Sequence, residues 1–439
     1  MIFWQDTSLV TLLFVALLLC FSKTLQCIPS LKVIPFSILA GVIGFTLQNV
    51  GLFELDQSAL ERIVYHGLAL TFIGIGLQKP PKEAKNQDAI AMGLGFSIMA
   101  VLQGLVAILC IAILSNFGEP LHPGLGLLLP LGLNQGPGQA LSMGNAWEEI
   151  SGLEGGGQIG LILAASGFFW SIVFGIPLAI YGQKKGWIKP KIQVIDTHEK
   201  ESNEDINAHI IVIAVIYLLT FGFLHVLSTG PLAQQPKHMS MLWGFHFLIA
   251  LMLALGTRSL WSKIRFSLSN TTLTQITNTT VDFVTCSALI AVQLSILQAN
   301  ILVISVLSIA GMITTLLGVL YLSKRGFDRD RFAHAILWFG SSTGTLPMGL
   351  ALLRIVDPNL QSAAPASATK GAVFALIFSA PLLLLVMPYA ISQWPTGYPS
   401  THYMLIGGLT LYTCIILGFW KKLANLGSYS SYTDEKQDA

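Results

Sequence analysis

Apolar runs of about 20 residues recur along nearly the whole chain, and they constrain the fold more than any other feature of the sequence. An α-helix rises ~1.5 Å per residue, so each run is long enough to cross the hydrocarbon core of a bilayer. Of the 439 residues, 53% are hydrophobic and 10% are charged, whereas about 25% of residues are charged in an ordinary soluble domain. The sequence therefore predicts an all-α polytopic membrane protein with the lipid bilayer around it.

Eleven segments have the hydropathy of transmembrane helices. The first of them lacks the basic leader and small-residue cleavage site of a signal peptide, and Asp6 lies in its flank. We therefore expect it to be a retained first helix. The predicted spans lie near 6–22, 33–50, 61–78, 88–115, 157–181, 208–228, 240–257, 278–298, 300–322, 369–391 and 403–420.

Two further apolar segments, 123–149 and 332–357, are interrupted in the middle by "NQGPGQ" and "GSSTGT". Glycine and small polar residues in such clusters favour turns over continuous helix. Neither segment makes a clean span. We expect each to be a re-entrant hairpin that returns to the side of the membrane from which it entered.

The distribution of lysine and arginine predicts the orientation, because positive charge collects in cytoplasmic loops. With the N-terminus outside, the C-terminus cytoplasmic and both hairpins re-entrant, almost all of these residues fall inside. A true crossing at either hairpin would remove the bias. This places the protein in a plasma membrane, the inner membrane of a bacterium. The outside loops hold Glu54, Asp56, Glu119, Glu154 and Lys237; the inside loops hold Lys23, Lys32, Lys79, Lys82, Lys85, Lys184, Lys185, Lys189, Lys191, Lys200, Arg258, Lys263, Arg265, Lys324, Arg325, Arg329, Arg331, Lys421 and Lys422.

A long hydrophilic linker near the midpoint divides the chain into two similar halves. Each half has five predicted spans with a broken segment between the fourth and the fifth, and an odd number of spans inverts the second half relative to the first. Aligned on the broken segments, Gly132 falls on Gly340 and Gly136 on Gly344. Inverted repeats with broken segments at matching positions are typical of secondary transporters. The predicted units are the first repeat 1–181, the cytoplasmic linker 182–207, the second repeat 208–391, and an extra helix with a cytoplasmic tail, 392–439.

The two broken segments are the candidate binding site. Irregular backbone within a membrane leaves N–H and C=O groups unpaired unless protein or a water-filled cavity supplies partners. Half-helix N-termini can bind an anion, and carbonyl oxygens can coordinate Na⁺. The alternative is that the polar residues only satisfy the backbone of their own hairpins. Candidates for substrate binding are Asn134, Gln135, Gly136, Gly138, Gln139, Ser342, Thr343, Gly344, Thr345 and Arg354; those for Na⁺ are Ser142, Asn145 and Ser341.

Four charged residues near or within the apolar segments have two interpretations each. Arg354 could bind a substrate carboxylate, or it could pair with Asp357 or extend to the interface. Glu148 and Glu149 could be cation ligands or gating charges, although a solvated face is the more ordinary interpretation. Asp282 could be a ligand of the coupling ion, but it is expected to open its helix and to complement the helix dipole there.

The sequence contains no constellation typical of enzymes. The HExxH and GxxxxGK[ST] motifs are absent, and the histidines lack metal-ligand spacing. The cysteines have neither CxxC nor paired spacing, so we expect packed thiols. We therefore predict a protein that is not an enzyme, with no catalytic residue, no cofactor, no metal other than Na⁺ as coupling ion, and no nucleic-acid partner. The cysteines are Cys20, Cys27, Cys110, Cys286 and Cys414.

The chain resembles the glutamate:Na⁺ symporter family and, more distantly, the 2-hydroxycarboxylate transporters. The resemblance covers residues 5–395. It is carried by "GLNQGPGQALSMGNAW" with "LILAASGFFWSIVFGIPLA", by "FGSSTGTLPMGLALLRI", and by "LTFIGIGLQ" and "VTCSALIAVQLSI". Where that family has a GGHGT-like first hairpin, this chain has Gln135, Gly136, Pro137, Gly138 and Gln139. The family's first glycine and its histidine are thus replaced, and the eleventh helix exceeds the usual ten.

The resemblance implies an elevator-type transporter, a homodimer whose scaffold domain holds the dimer while a mobile domain carries both hairpins. The function expected from it is Na⁺-coupled symport of glutamate or a related small carboxylate. H⁺-coupled or exchange-type transport of a carboxylate or amino acid is the alternative within the same class. A passive channel is the alternative from another class, but a channel would repeat its pore loop around a ring of subunits.

Overall fold

The computed structural model describes residues 7–28, 31–79, 86–188, 206–230, 236–264, 268–424 and 432, and the regular elements within them are all helices. Most of the predicted linker lies outside these residues, as do Lys82, Lys85, Lys189, Lys191, Lys200 and Arg265. The helices are α1 Thr7–Leu25, α2 Phe36–Asn49, α3 Gln57–Leu77, α4 Asn86–Ser115, α5 Pro123–Pro130, α6 Pro137–Ser151, α7 Gly156–Trp170, α8 Ile176–Lys184, α9 Ile206–Thr229, α10 Pro236–Gly244, α11 His246–Ile264, α12 Asn270–Ile290, α13 Leu294–Ala299, α14 Ile301–Gly326, α15 Arg331–Ser342, α16 Leu346–Val356, α17 Ala364–Pro381, α18 Met387–Ser392 and α19 Ser400–Leu423.

Eight helical stretches in the described part of the chain are long and apolar enough to cross a membrane. They correspond to eight of the eleven predicted spans. Two of the other spans are the shorter helices α2 and α11, and the third is α12. The eight stretches are Thr7–Leu25, Gln57–Leu77, Gln87–Ser115, Gly156–Lys184, Ile206–Thr229, Ile301–Gly326, Ala364–Ser392 and Ser400–Leu423. The protein is a helical membrane protein.

Each of the two interrupted segments is a pair of half-helices around a break. In the first, α5 runs into a π-helical turn at Leu131–Gln135, and α6 starts in a new direction after Gly136. In the second, α15 ends at Ser342 and α16 begins at Leu346. The breaks therefore lie where the glycine-rich stretches predict them.

Helix α12 differs from its prediction at both ends. It begins at Asn270, well before the expected start at 278, and it ends at Ile290 rather than 298. Its first half is rich in threonine, and the hydroxyl of Thr277 donates a hydrogen bond of 2.7 Å to the Leu273 carbonyl of the preceding turn. The hydroxyls thus find partners within the helix. As a result Asp282 lies in the middle of α12, and the expectation that it opens the helix is wrong.

Helix α3 begins at a polar cap outside the membrane-spanning segments. The Asp56 carboxylate accepts a hydrogen bond from the Ala59 backbone N–H at 3.2 Å and others from the Ser58 and Ser8 hydroxyls, at 2.6 and 3.0 Å. Chiefly through the Ser58 bond, with Ala59, Ser8 and the Arg62 cation adding to it, these contacts lower the pKa of Asp56 to about 2. Because Ser8 belongs to α1, the cap also ties the first helix to the third.

The helices pack as two groups. In one group α3 packs against α11 and α12, while α2 packs against α12. In the other, α4 packs against α5, α14, α17 and α19. Of the broken segments, α5 and α15 contact α4, and α6 packs against α7. The groups meet where α6 of the first broken segment contacts α3.

Candidate functional site

A cavity of about 220 Å³ lies between the two breaks. The first broken segment lines it with the whole stretch from Asn134 to Gln139, and the second lines it with Ser341 and with Thr345 to Pro347. Helices α3, α4, α12 and α17 close the remaining sides. Seven of the predicted site residues thus share one cavity: Asn134, Gln135, Gly136, Gly138, Gln139, Ser341 and Thr345.

The tips of the two broken segments touch at Gly136 and Thr345. Gly136 has φ +100° and ψ 172°, a backbone conformation that is essentially restricted to glycine. A Cβ atom added to Gly136 would lie 3.1 Å from the Thr345 methyl carbon Cγ2. The glycine therefore serves two purposes, since it turns the chain into α6 and lets the second segment approach.

Both breaks present a helix N-terminus to the cavity. Helix α6 starts with Pro137, and no side chain caps it at Gly136. Its first intrahelical bond joins the Ala140 N–H to the Gly136 carbonyl at 3.3 Å, which leaves the N–H groups of Gly138 and Gln139 without a helical acceptor. Each helix N-terminus carries roughly +0.5 elementary charge.

The second broken segment repeats this arrangement at α16. Thr345 occupies its N-cap position without a side-chain capping bond, and the Gly349 N–H donates to the Thr345 carbonyl at 3.1 Å. The N–H groups of Leu346 and Met348 precede that bond and so lack a helical acceptor. The two N-termini together make this end of the cavity electropositive.

The polar side chains of the cavity differ in how far they are satisfied. Asn134 donates from Nδ2 to the Phe96 carbonyl of α4 at 3.0 Å, and the Ser341 hydroxyl donates to the Leu337 carbonyl at 2.8 Å. Gln139, in contrast, is 2% exposed, and its Oε1 has no hydrogen-bond partner among the described residues. Gln139 therefore has an acceptor left over for a ligand.

None of the described residues that line the cavity carries a formal charge. A bound anion would consequently be held by backbone N–H groups, neutral side chains and the helix dipoles. A cation bound with it would balance its charge. The described residues contain no group of three or more His, Cys, Asp or Glu that could hold a metal ion, so a cation at this cavity would be coordinated by carbonyl, amide and hydroxyl oxygens.

Ser342 and Thr343 lie behind the second break, in contact with neighbouring helices. Gln103 of α4 donates from Nε2 to the Ser342 carbonyl at 2.9 Å and to the Thr315 hydroxyl of α14 at 2.7 Å. The Thr343 and Ser171 hydroxyls are 2.6 Å apart. Both predicted residues therefore position the break and do not line the cavity. Gly344 is buried against Phe168 and Met348 in the same layer.

Three other predicted residues lie apart from the cavity. Arg354, in the last turn of α16, has an exposed side chain. Its suggested partner Asp357 accepts hydrogen bonds from the backbone N–H groups of Gln361 and Ser362, at 3.0 and 2.8 Å. Ser142 and Asn145 line a second cavity, described below. The structure therefore does not bring Arg354, Ser142 or Asn145 to the cavity between the breaks.

Sequence reasoning did not select the residues that α3 and α12 contribute. Thr71 and Phe72 of α3 and Val284 and Thr285 of α12 face the two breaks across the cavity. Their segments, "LTFIGIGLQ" and "VTCSALIAVQLSI", were recognised only as resembling helices of a transporter family. Small and hydroxyl residues within an apolar helix are the signal that could have identified them, but such residues also serve ordinary helix packing.

The fold and the cavity define a class: a helical membrane protein in which two broken helices, one from each half of the chain, meet at a single neutral cavity. No protein-family model matches the sequence, and no curated protein is similar to it.

Proposed function

We propose that the protein is a secondary active transporter that couples the uptake of glutamate or a related small carboxylate to Na⁺ by an elevator-type mechanism. One observation carries the proposal: two uncapped helix N-termini, from different halves of the chain, open into the same uncharged cavity. Broken helices at membrane depth are tolerated where they line a cavity, and their N-termini suit an anionic substrate.

Matching features in the two halves support the proposed inverted repeats. The helix after each broken segment contains a π-helical turn followed by an X-Pro step, Ser171–Gly175 before Pro177 and Leu382–Val386 before Pro388. The packing also corresponds, since α2 packs on α12 as α11 packs on α3. Related halves of this kind provide the two alternating arrangements that transport requires.

Because the cavity has no charged side chain among its described lining residues, the proposal has to explain how it would bind an anionic substrate. Interaction with a helix N-terminus contributes about 0.3–1 kcal/mol at a surface and up to ~2 kcal/mol in a partly buried geometry. Two N-termini would therefore hold one carboxylate weakly. Na⁺ bound beside it at carbonyl or hydroxyl oxygens would strengthen the binding, which favours coupled symport of the two ions over uptake of the anion alone.

The two helix groups supply a fixed and a moving part for the elevator. Helices α1–α3 and α9–α12 would form the scaffold and the homodimer contact, and the helices that carry the breaks would move. The cavity lies at their boundary, with α3 and α12 on one side and both breaks on the other. A movement of one group along the other would carry the site between the two faces of the membrane.

Uptake into proteoliposomes tests the proposal directly. Purified protein is reconstituted, and accumulation of radiolabelled glutamate, aspartate, citrate and malate is followed with an inward Na⁺ gradient, with a proton gradient, and with no gradient. We expect accumulation that requires the Na⁺ gradient and that collapses with a Na⁺ ionophore. Empty liposomes are the control. The symporter proposal is wrong if none of these anions accumulates under any gradient.

A further inference from the structure

A second cavity, of about 420 Å³, lies on the outer half of α6. Helices α3, α9 and α10 form its other walls. We call it the vestibule. Its lining is mixed in polarity, unlike a packing defect between apolar helices, and it includes Tyr65, Ser142, Asn145, Glu149 and Trp243.

One polar face of α6 connects the vestibule to the cavity at the breaks. Gln139, Ser142, Asn145 and Glu149 follow one another at spacings of three and four residues, so they lie on the same side of the helix. Gln139 lines the inner cavity, whereas the other three line the vestibule. The two cavities are thus one helical turn apart along this face.

Two side chains on that face are buried without partners. The Oε1 atom of Gln139 and the Oγ atom of Ser142 have no hydrogen-bond partner within the described residues, and both side chains are 2% exposed. Leaving a buried polar group unpaired is energetically costly. Such groups in a native protein call for an explanation, and passage of water, ions or a polar substrate is one.

An apolar contact between α3 and α6 lies in the wall of the inner cavity. Leu68 of α3 packs against Gly138 so closely that a Cβ atom on this glycine would lie 2.8 Å from the Leu68 Cδ1 atom. On α3, Tyr65 lines the vestibule, and Leu68 and Thr71 line the inner cavity. The contact between Leu68 and Gly138 therefore lies where the two cavities approach each other.

The vestibule wall on the α3 side is held rigidly. The Tyr65 hydroxyl donates to the Trp243 carbonyl at 2.8 Å, and the His246 Nε2 atom is 2.9 Å from the Tyr65 carbonyl. The Tyr65 and His246 rings also stack with centroids 3.8 Å apart. A movement of α6 along this fixed wall would bring its polar face past Leu68.

We infer that the vestibule is the extracellular access route to the cavity at the breaks, with Leu68 on Gly138 as the closing contact. The inference rests on the proposed function and on the orientation expected from the charge bias. It adds a path, a barrier and a set of lining residues to the transport cycle. Substrate and coupling ion would pass Asn145 and Ser142 before they reach Gln139.

Cysteine accessibility tests the route. In a variant whose five native cysteines are replaced by alanine, single cysteines are introduced by Ser142→Cys and Asn145→Cys. A membrane-impermeant methanethiosulfonate reagent is applied to right-side-out and to inside-out vesicles, and modification is counted by a mass-tag shift. Ala140→Cys is the matched control, because Ala140 is fully buried on another face of α6 beside Gly160 of α7.

We expect both vestibule cysteines to react from the outside, Asn145→Cys faster than the buried Ser142→Cys, while Ala140→Cys stays unmodified until the protein is denatured. Adding Leu68→Ala to Gln139→Cys should speed modification of that inner cysteine from the outside several-fold. Folding of each variant is checked by monodisperse elution and by full labelling in detergent.

Two results would overturn the access route: vestibule cysteines in folded protein that are modified only from the inside or from neither side, or Leu68→Ala leaving the rate at Gln139→Cys unchanged. Labelling requires no transport, so these results are distinct from a failed uptake experiment. Absence of uptake with normal outside labelling contradicts the proposed function and leaves the geometry of the route intact.

Discussion

At the scale of single residues, Gly136 and Thr345 decide whether the two broken segments can meet. The positive φ of Gly136 is unavailable to other residues without strain, and the Thr345 methyl occupies the space that a side chain would need. The meeting of the two segments therefore depends on the backbone conformation of Gly136 in the first segment and on the side chain of Thr345 in the second.

We predict that Gly136→Ala impairs binding and uptake. The strained backbone costs of order 1–3 kcal/mol, and the added Cβ would push the Thr345 tip away. Gly152→Ala is the control, because Gly152 also has a positive φ, of 73°, but has open space around it. Thermal unfolding should show a loss for both variants, whereas only Gly136→Ala should lose uptake. Equal uptake by the two variants would contradict the tip contact.

Gln139 offers a second residue-scale prediction. Gln139→Leu removes the unpaired amide oxygen, which is suited to Na⁺ or to a hydrogen-bond donor of the substrate, and it should weaken Na⁺-dependent substrate binding about tenfold, or ~1.4 kcal/mol. Stability should be unchanged or higher, because a buried unpaired polar atom disappears with it. Equilibrium binding of the transported anion and thermal unfolding measure the two effects. Gln275→Leu, at an exposed position of α12, is the matched control and should leave the affinity unaltered.

Of the residues predicted from sequence, those close to the breaks line the cavity, and most of those farther along the helices do not. Asn134 to Gln139 and Thr345 reach the cavity because glycine and proline fix where each break lies. Arg354 follows Thr345 by nine positions, which is about 13 Å along a helix, so it cannot share the cavity. Hydropathy locates a helix but does not say which of its faces packs against another helix. For that reason the sequence predicted Ser342 and Thr343 as binding residues, whereas in the structure they contact Gln103 and Ser171.

At the scale of elements, the returning arm α6 is held against α7 by backbone contact. A Cβ atom on Gly144 would lie 2.4 Å from the Gly156 carbonyl oxygen, and one on Gly156 would lie 2.6 Å from the Gly144 carbonyl oxygen. Small residues let membrane helices approach closely. This contact fixes the direction of α6, and with it the position of the N-terminus that faces the cavity.

We predict that Gly144→Ala destabilises the protein, because the neighbouring backbone has to move, at a cost of about 1–3 kcal/mol. Gly407→Ala is the comparison, since Gly407 lies in α19 with nothing within 4 Å of the added atom. Alanine is favoured over glycine within a helix, so this variant should be as stable as the parent or more so. Thermal unfolding in detergent distinguishes the two, and similar melting of both would refute the close contact.

At the scale of the whole molecule, α19 is part of the core although it lies outside the proposed repeats. It packs along α4, and its Trp420 is completely buried beside Gly326 and 5.8 Å from the Trp338 ring. Hydropathy predicted the helix but not its packing, because an apolar run has the same hydropathy whether it faces lipid or protein. The eight long helices and both breaks could be predicted because the length of an apolar run and the position of a glycine are local features of the sequence. The packing could not be predicted, because the helix that a given helix contacts is not encoded locally.

We predict that Trp420→Ala lowers the free energy of unfolding by about 3–5 kcal/mol, the usual cost of removing a large buried aromatic side chain. The neighbouring Phe419 is 45% exposed, so Phe419→Ala should cost far less. Both are compared by thermal unfolding and by retention of the monodisperse species. If the two losses were equal, α19 would not be packed into the core as described.

The contact between Gly136 and Thr345 also has a consequence for biosynthesis. Its two partners are encoded in opposite halves of the chain, so the cavity cannot exist while only the first half has left the ribosome. During that interval the first broken segment has its N-terminus in the membrane with no second tip to complete the site. Under the proposed function, the nascent protein would be unable to bind a ligand until the second broken segment has been inserted, which would make ligand binding a late event in its maturation.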